Sequence, residues 1–245
     1  MPVRERRAMH RSGEYADRGE YHRHLDPTWS YYPLYLQKMQ LVSALIRSLP
    51  QNQRCLDIGA GEGVLVEQLR AAGHAATGID PHYSSRTVRR GSAAKLPFRA
   101  ARFDVVFCLD VLEHLPWSEQ EQAIAELRRV LRPGGLAVLS LPNLAHLPSR
   151  VKFLLTGRLI RTSHVRKHVG DRPIAEYLDL LSAAGLRLEQ RAGGTRFGEP
   201  LLPPLLRRFP SLCFSNFLVL RAPARRAKPL TQAASLRPAV RRGGR

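Results

Sequence analysis

The apolar residues follow two alternating rhythms. Leu34, Leu41, Leu45 and Leu49 keep one helical face apolar, and the run ends at Pro50, which predicts a helix. RCLDIG (54–59) is a short continuous apolar run, as in a buried strand. GVLVEQLRAAG returns to helical spacing and closes at Gly73. HAATGID predicts a second strand ending on Asp80. RTVRRGSAAKLPF holds a short strand and a loop, and FDVVFCLDVLEHL opens with another buried strand. SEQEQAIAELRRVLRPGG is an amphipathic helix, with Ser118 as its expected N-cap and Pro133-Gly134-Gly135 as its stop. LAVLSLPN is a strand, RPIAEYLDLLSAAG a helix with Pro173 near its start, and LRLEQ and SNFLVLRA the closing strands.

Strands alternating with helices imply an α/β fold, a doubly wound, mostly parallel sheet with helices on both faces. No internal repeat interrupts this order. Residues 1–25 are polar and aperiodic and read as a disordered N-terminal segment; 26–220 read as one domain. The long irregular insertion, 143–171, follows a strand at the carboxyl edge of the sheet, where ligands bind such folds. Residues 221–245, rich in Ala, Pro and Arg, read as a basic disordered tail.

Composition narrows the setting. A chain of 245 residues with 44% hydrophobic and 24% charged residues can fold without staples. Cys55, Cys108 and Cys213 are odd in number and far apart, which predicts reduced core thiols in a cytoplasmic protein. With no CxxC or HExxH spacing, no metal site is expected. No apolar stretch of about 20 residues lacks charges, so no membrane span is expected. The N-terminus has no apolar core of a secretory signal. The net charge of +19, carried almost wholly by Arg, makes nucleic acid a partner to weigh; the rival source is base composition.

The candidate chemistry sits in CLDIGAGEG (55–63). Gly59, Gly61 and Gly63 form G-x-G-x-G, with Val64 where a dinucleotide motif keeps a small residue, and no Lys-Ser/Thr follows as in a phosphate loop. Glycine allows a sharp turn and close ligand approach. Asp57 and Asp80 end consecutive strands at the carboxyl edge. A carboxylate at Asp80 suits a ribose diol, and Asp57 suits a cationic group. S-adenosylmethionine has a ribose, an ammonium and a sulfonium, and no phosphate.

LDIGAGEG, GID, GSAAKLPF, FDVVFCLDVLEHL and RVLRPGGLAVLSLPN occur in the order found in Rossmann-like, class I S-adenosylmethionine (SAM)-dependent methyltransferases. Residues 50–220 resemble that family, and within it the ubiquinone- and methionine-biosynthesis type. The resemblance implies seven strands with the last antiparallel. It implies that Asp57, Gly59 and Gly61 line the methionine end of the cofactor, that Asp80 holds the ribose, and that Pro81 packs near adenine. Ser92, with Ala93, stands where the family often has an Asp that meets the adenine amino group. Leu109 and Asp110 are expected to face the cofactor and the transferred methyl.

In DVLEHL, His114 is a candidate general base, with Asp110 beside it; a structural role for His114 is the alternative. His146, His164 and His168 share the insertion with Arg150, Lys152, Arg158, Arg161, Arg166 and Lys167, and no acid lies between Leu144 and Gly170. That segment reads either as a solvated basic loop or as a cap over an anionic acceptor. GEPLLPPLLRRFPSLCFSNFLVL is apolar and broken by prolines: a lid edge, a dimer face, a peripheral membrane contact, or packing under the last strand. The expected activity is methyl transfer from SAM to a small-molecule acceptor, with O-methylation favoured. The alternative is an RNA or tRNA nucleoside methyltransferase. The strand-four segment lacks the Asn/Asp-Pro-Pro-Tyr/Phe and Pro-Cys elements of base-modifying enzymes.

Overall fold

In a computed structural model, residues 10–11, 22–29, 31–160, 168–194 and 208–224 are described. Seven strands, β1 (Arg54–Ile58), β2 (Ala75–Asp80), β3 (Val88–Arg90), β4 (Phe103–Leu109), β5 (Leu131–Pro142), β6 (Arg187–Gly194) and β7 (Ser215–Arg221), form one sheet. Their order is β3-β2-β1-β4-β5-β7-β6. β7 runs antiparallel to both β5 and β6, and the other neighbouring pairs are parallel. This is the doubly wound sheet with an antiparallel last strand that the sequence implies.

Alternation along the strands assigns the two faces. Val106, Cys108, Ala137 and Leu139 share a core with α3 (Trp117–Val130) and α5 (Ile174–Ala183). Val105, Phe107 and Val138 share the opposite core with α1 (Tyr32–Ser48) and α2 (Val64–Ala71). Both faces are covered, so the central strands read as unbroken apolar runs. The chain moves outward through β1, β2 and β3, then returns to place β4 on the other side of β1. That reversal opens a crevice at the carboxyl ends of β1 and β4.

Several local expectations are corrected. Ser118 is not an N-cap: Pro116 holds that position, and its carbonyl accepts the Glu119 and Gln120 amides. Pro133-Gly134-Gly135 does not stop α3. The helix passes directly into β5 at Leu131, which pairs with Phe103, and the Pro-Gly-Gly residues lie where the register shifts. Residues 143–171 are not wholly irregular, because α4 (Leu147–Thr156) forms inside them and ends at Gly157 with φ 68°. Arg221 belongs to β7 and not to the tail. Of the segment expected to be disordered, His10–Arg11 pair with Tyr83–Ser84, and residues 22–25 lie in a described turn; the rest of 1–25, and the tail beyond 224, fall outside the described residues.

Candidate active site at the carboxyl edge

The glycine turn between β1 and α2 needs left-handed backbone throughout: Gly59, Gly61 and Gly63 have φ of 72°, 50° and 83°. A side chain there is strained whatever the available space. The Gly59 and Ala60 amides both donate to the Ile79 carbonyl, at 2.8 and 3.0 Å, which ties the turn to the end of β2. A Cβ on Gly59 would also lie 2.3 Å from Val111 Cγ2, so the turn packs against the loop that follows β4.

Asp80 is buried, and three backbone amides reach its carboxylate: Gly61 to Oδ2 (3.0 Å), His82 to Oδ1 (2.8 Å) and Tyr83 to Oδ1 (3.0 Å). A carboxylate offers about four acceptor positions. About one therefore remains for a ribose hydroxyl, fewer than the two that the residue type alone suggests. Burial raises the Asp80 pKa, and these amides partly offset it. Asp57 is buried too. Burial first, and the Asp80 charge second, push its pKa up to about 8, with Lys38 acting in the opposite sense. An acid so burdened gains from a cationic partner, which is what the ammonium of SAM offers. The donor set fits that cofactor.

The adenine-side residues divide. Pro81 is exposed at the end of β2. Ser92 is exposed, and its Oγ accepts the Ala94 amide at 3.1 Å. Ala93 is buried in the core, so its side chain serves packing.

Half-buried Leu109 ends β4, and Asp110 follows with φ 54°, an unusual conformation for a residue other than glycine. Three side chains donate to the Asp110 carboxylate: Tyr31 (2.6 Å) and Lys38 (2.5 Å) to Oδ2, and Ser140 (2.5 Å) to Oδ1. Burial alone would raise the pKa of this carboxyl. The Lys38 charge and the three donors outweigh it and hold it below the usual carboxylate range. Such a carboxylate is a weak proton acceptor and a strong anchor.

The sequence reading passed over α1 as a site element. Lys38 lies over the rings of Tyr31 and Tyr35, at 5.6 and 5.2 Å. Burial, then the charges of Glu62, Asp57 and Asp110, raise the Tyr35 pKa, so α1 lies across the acids of the crevice. Ahead of α1, the His22 and Arg23 amides donate to the buried Glu62 carboxylate at 3.1 and 3.0 Å, and the Arg23 guanidinium grips Glu67 at 2.8 and 2.6 Å. Glu62 thus fastens the N-terminal segment to the glycine turn, beyond any effect on the helix end. The one sequence signal is the aromatic run WSYYPLY, which leads into the first turn of α1.

Beyond Asp110, the chain makes a 3-10 turn, Leu112–His114. His114 is exposed, and its ring meets that of His168 edge-to-face at 4.8 Å. His168 Nδ1 lies 3.1 Å from Oδ1 of buried Asp171. Glu113 is 1% exposed, and its Oε2 has no hydrogen-bond partner. Burial, then the Asp110 charge, raise the Glu113 pKa well above the usual value. Gly170 holds this arrangement together. Its amide donates to the Glu113 carbonyl (3.0 Å), and its carbonyl accepts Gln120 Nε2 (2.7 Å) and the Tyr177 hydroxyl (3.0 Å). Gln120, fully buried on α3, also donates to the Leu112 carbonyl at 2.9 Å. Neither Gln120, Gly170 nor Asp171 stood out in the sequence.

The remaining insertion residues separate. His146 is buried against the Phe214 ring at 5.1 Å, so it is not part of an exposed basic face. Buried Asn143 clamps the insertion: Nδ2 donates to the Ser211 and Cys213 carbonyls, and Oδ1 accepts the Ala145 and Ile174 amides. Arg161, His164, Arg166 and Lys167 lie outside the described residues. Of the apolar 198–220 segment, residues 208–220 are described: they hold most of β7, with Cys213 buried ahead of it and Phe209 exposed. Among the described residues, no helix is long and apolar enough to cross a membrane.

Comparison with known proteins fits this geometry. The methyltransferase-domain family matches residues 56–139. The chain is similar to an uncharacterized methyltransferase of Mycolicibacterium gilvum, with 31% identity over 63% of this chain and 67% of the relative. It is similar to the ubiquinone biosynthesis O-methyltransferase of Bordetella avium, with 30% identity over 48% of this chain and 55% of that one. Among solved structures it resembles a SAM-dependent methyltransferase of Thermotoga maritima, with a TM-score of 0.56 and 20% identity over 85% of this chain and 96% of that one. The chain spans between about half and two thirds of the length of the first curated relatives it matches.

Proposed function

This chain belongs to the SAM-dependent methyltransferase family, and from that premise we propose that it transfers a methyl group to a hydroxyl of a small-molecule acceptor. The observation that carries the hydroxyl reading is the imidazole pair His114–His168, backed by buried Asp171, just past the carboxyl end of β4. A hydroxyl must lose its proton as it attacks carbon, and imidazoles are suited to that step. The similarity to an O-methyltransferase supports the same reading.

The cofactor supplies a methyl group on a sulfonium that already leaves readily, so the protein's work is alignment and exclusion of water. Asp57 takes the ammonium, and Gly59 and Gly61 shape the turn beside it. The remaining acceptor position of Asp80 takes a ribose hydroxyl. Pro81 and Ser92 border adenine, and Leu109 borders the transferred methyl. Asp110 keeps its anchoring role, and the proton leaves through the imidazole pair instead. Residues 22–29 and the start of α1 cover the crevice from the N-terminal side.

The test is a screen of cell extract with methyl-labelled SAM, followed by identification of the labelled product. A labelled methyl ether supports the reading. A product methylated on nitrogen or carbon overturns the hydroxyl assignment, and tighter binding of NADH than of S-adenosylhomocysteine overturns the cofactor. An RNA acceptor is the second reading, favoured by the +19 charge.

A further inference from the structure

Helix α4 has its polarity inside out. A helix on a protein body normally turns its apolar stripe inward and its polar side to water. In α4 the buried residue is Ser149, whose Oγ accepts the Ile160 amide at 2.9 Å and donates to the Ile160 carbonyl at 3.4 Å. Positions two apart lie on nearly opposite sides of a helix, so the side facing away from the body is centred near Val151. Val151, Leu154 and Leu155, spaced three and four apart, form one outward stripe, with Leu154 83% and Leu155 78% exposed. Phe153 and Leu159 are exposed too. A lone exposed leucine is ordinary, but five apolar side chains among the exposed residues 150–159 make a patch.

The charges beside this stripe all have one sign. Arg150 and Lys152, one position to either side of Val151, flank it, and Arg158 follows the helix; all three are exposed. The Arg150 guanidinium donates to the Ala145 carbonyl at 2.6 Å and the Ser211 carbonyl at 3.3 Å, which holds its charge beside the first turn. No acid lies between Leu144 and Gly170, and the whole chain carries +19. An apolar stripe between cations suits the interface of an anionic bilayer, where acyl chains take the apolar side chains and headgroups take the charges. A second copy of this chain would instead bring like charges together at the same patch. We propose that α4 docks the protein on an anionic lipid surface, lying in the plane of the headgroups with Val151, Leu154 and Leu155 toward the acyl chains. Because α4 follows β5 at the carboxyl edge of the sheet, docking brings that edge to the bilayer. The docking is independent of which acceptor is methylated.

The experiment sediments the full chain with vesicles of phosphatidylcholine alone, and of phosphatidylcholine with phosphatidylglycerol, at low and physiological salt. The anionic vesicles should bind it about tenfold more tightly or better, and the advantage should shrink as salt rises. Leu154→Ser with Leu155→Ser leaves every charge in place and should weaken that binding by about tenfold. Lys152→Gln with Arg158→Gln should weaken it by a similar factor and flatten its salt dependence. S-adenosylhomocysteine binding by each variant shows that it has folded. Undiminished vesicle binding by the folded Leu154→Ser, Leu155→Ser variant overturns the docking face and leaves the charge of the rest of the chain as the cause. Equal binding to both kinds of vesicle overturns the anionic surface. Dimers that form without vesicle binding, and that the Leu154→Ser, Leu155→Ser variant does not form, overturn the bilayer in favour of a second copy. Binding of RNA that exceeds binding of vesicles, and that falls with the cations but not with the leucines, assigns the patch to nucleic acid and overturns the proposal.

Discussion

Lys38, from the middle of α1, places its ammonium 2.5 Å from Asp110 Oδ2 at the end of β4, with both side chains largely buried. The pair fixes the N-terminal helix over the crevice. Removing one partner of a buried pair strands the other, so Lys38→Met should destabilise the fold by about 3 kcal/mol. Lys38→Met with Asp110→Asn should recover much of that loss. The folded pKa of Asp110 is depressed, so its stabilisation is present above the unfolded value of about 3.9 and is lost as pH falls below it. In Lys38→Met the folded pKa of Asp110 should rise, because burial is no longer opposed by the ammonium, so this loss at acid pH should shrink or change sign. Urea denaturation of the four-member cycle across pH 3–7 tests this, and additive losses would remove the pairing from the argument.

Asp57 has the opposite sign. Its folded pKa is raised to about 8, by burial and Asp80 against the pull of Lys38, while the unfolded value is about 3.9. The folded state therefore holds the extra proton, and this group's contribution declines as pH rises from about 4 through about 8. Asp57→Asn should flatten that decline and make the cofactor-free protein more stable at pH 8. It should also weaken S-adenosylhomocysteine at least tenfold, since a hydrogen bond to a charged group is worth about 1.5–3 kcal/mol. At pH 7 the wild type should release a proton on binding, visible as calorimetric enthalpies that differ between buffers. Parallel stability curves for wild type and variant would contradict the raised pKa.

The sheet was legible because its strands lie between two apolar faces, which leaves continuous runs such as Phe103–Leu109. The glycine turn was legible because backbone demand fixes residue type: all three glycines take positive φ. The site was legible only where chemistry lies next to its own strand, as with Asp57, Asp80 and Asp110. Lys38 and Asp171 act through contacts that spacing does not encode, and nothing local in the insertion links His168 to His114. Helix α4 was missed because its apolar residues are not a buried stripe: Leu154 and Leu155 are exposed, and basic residues interrupt them. The stop after α3 was misplaced because Leu131 is claimed by pairing with Phe103, and tertiary pairing outweighed the Pro-Gly-Gly signal.

Gly170 links the insertion to chemistry, and its side-chain space is nil. A Cβ there would lie 2.1 Å from both the Leu115 carbonyl oxygen and Gln120 Nε2. The backbone oxygen cannot swing aside, so Gly170→Ala should cost about 1–3 kcal/mol and displace His168 from His114. Turnover should fall at least tenfold, while S-adenosylhomocysteine affinity stays within about threefold, a change below 1 kcal/mol. Parallel turnover and calorimetric measurements separate these. Equal losses in both would make the segment a general frame and not a part of the acceptor site.

The basic C-terminal residues decide between small-molecule and nucleic-acid acceptors, and the structure dictates where to cut. The Ala222 amide donates to the Gly135 carbonyl at 2.9 Å, Gly134 donates to the Ala222 and Pro223 carbonyls at 3.2 Å, and Arg221 donates to the Gly134 carbonyl at 3.0 Å. A truncation after Arg221 would break this clasp at the edge of β5, so the chain should end after Ala224. That removes Arg225, Arg226, Lys228, Arg237, Arg241, Arg242 and Arg245, and no acid. For a small-molecule methyltransferase the truncated chain should keep its S-adenosylhomocysteine affinity and an acceptor KM within about threefold. If these residues held a polyanion, each lost phosphate contact would lower the salt slope of binding by about 0.7–0.9. KM would then rise in the truncated chain at physiological salt and recover at low salt. That outcome would move the acceptor from a small hydroxyl compound to an RNA, or to a substrate presented on an anionic surface.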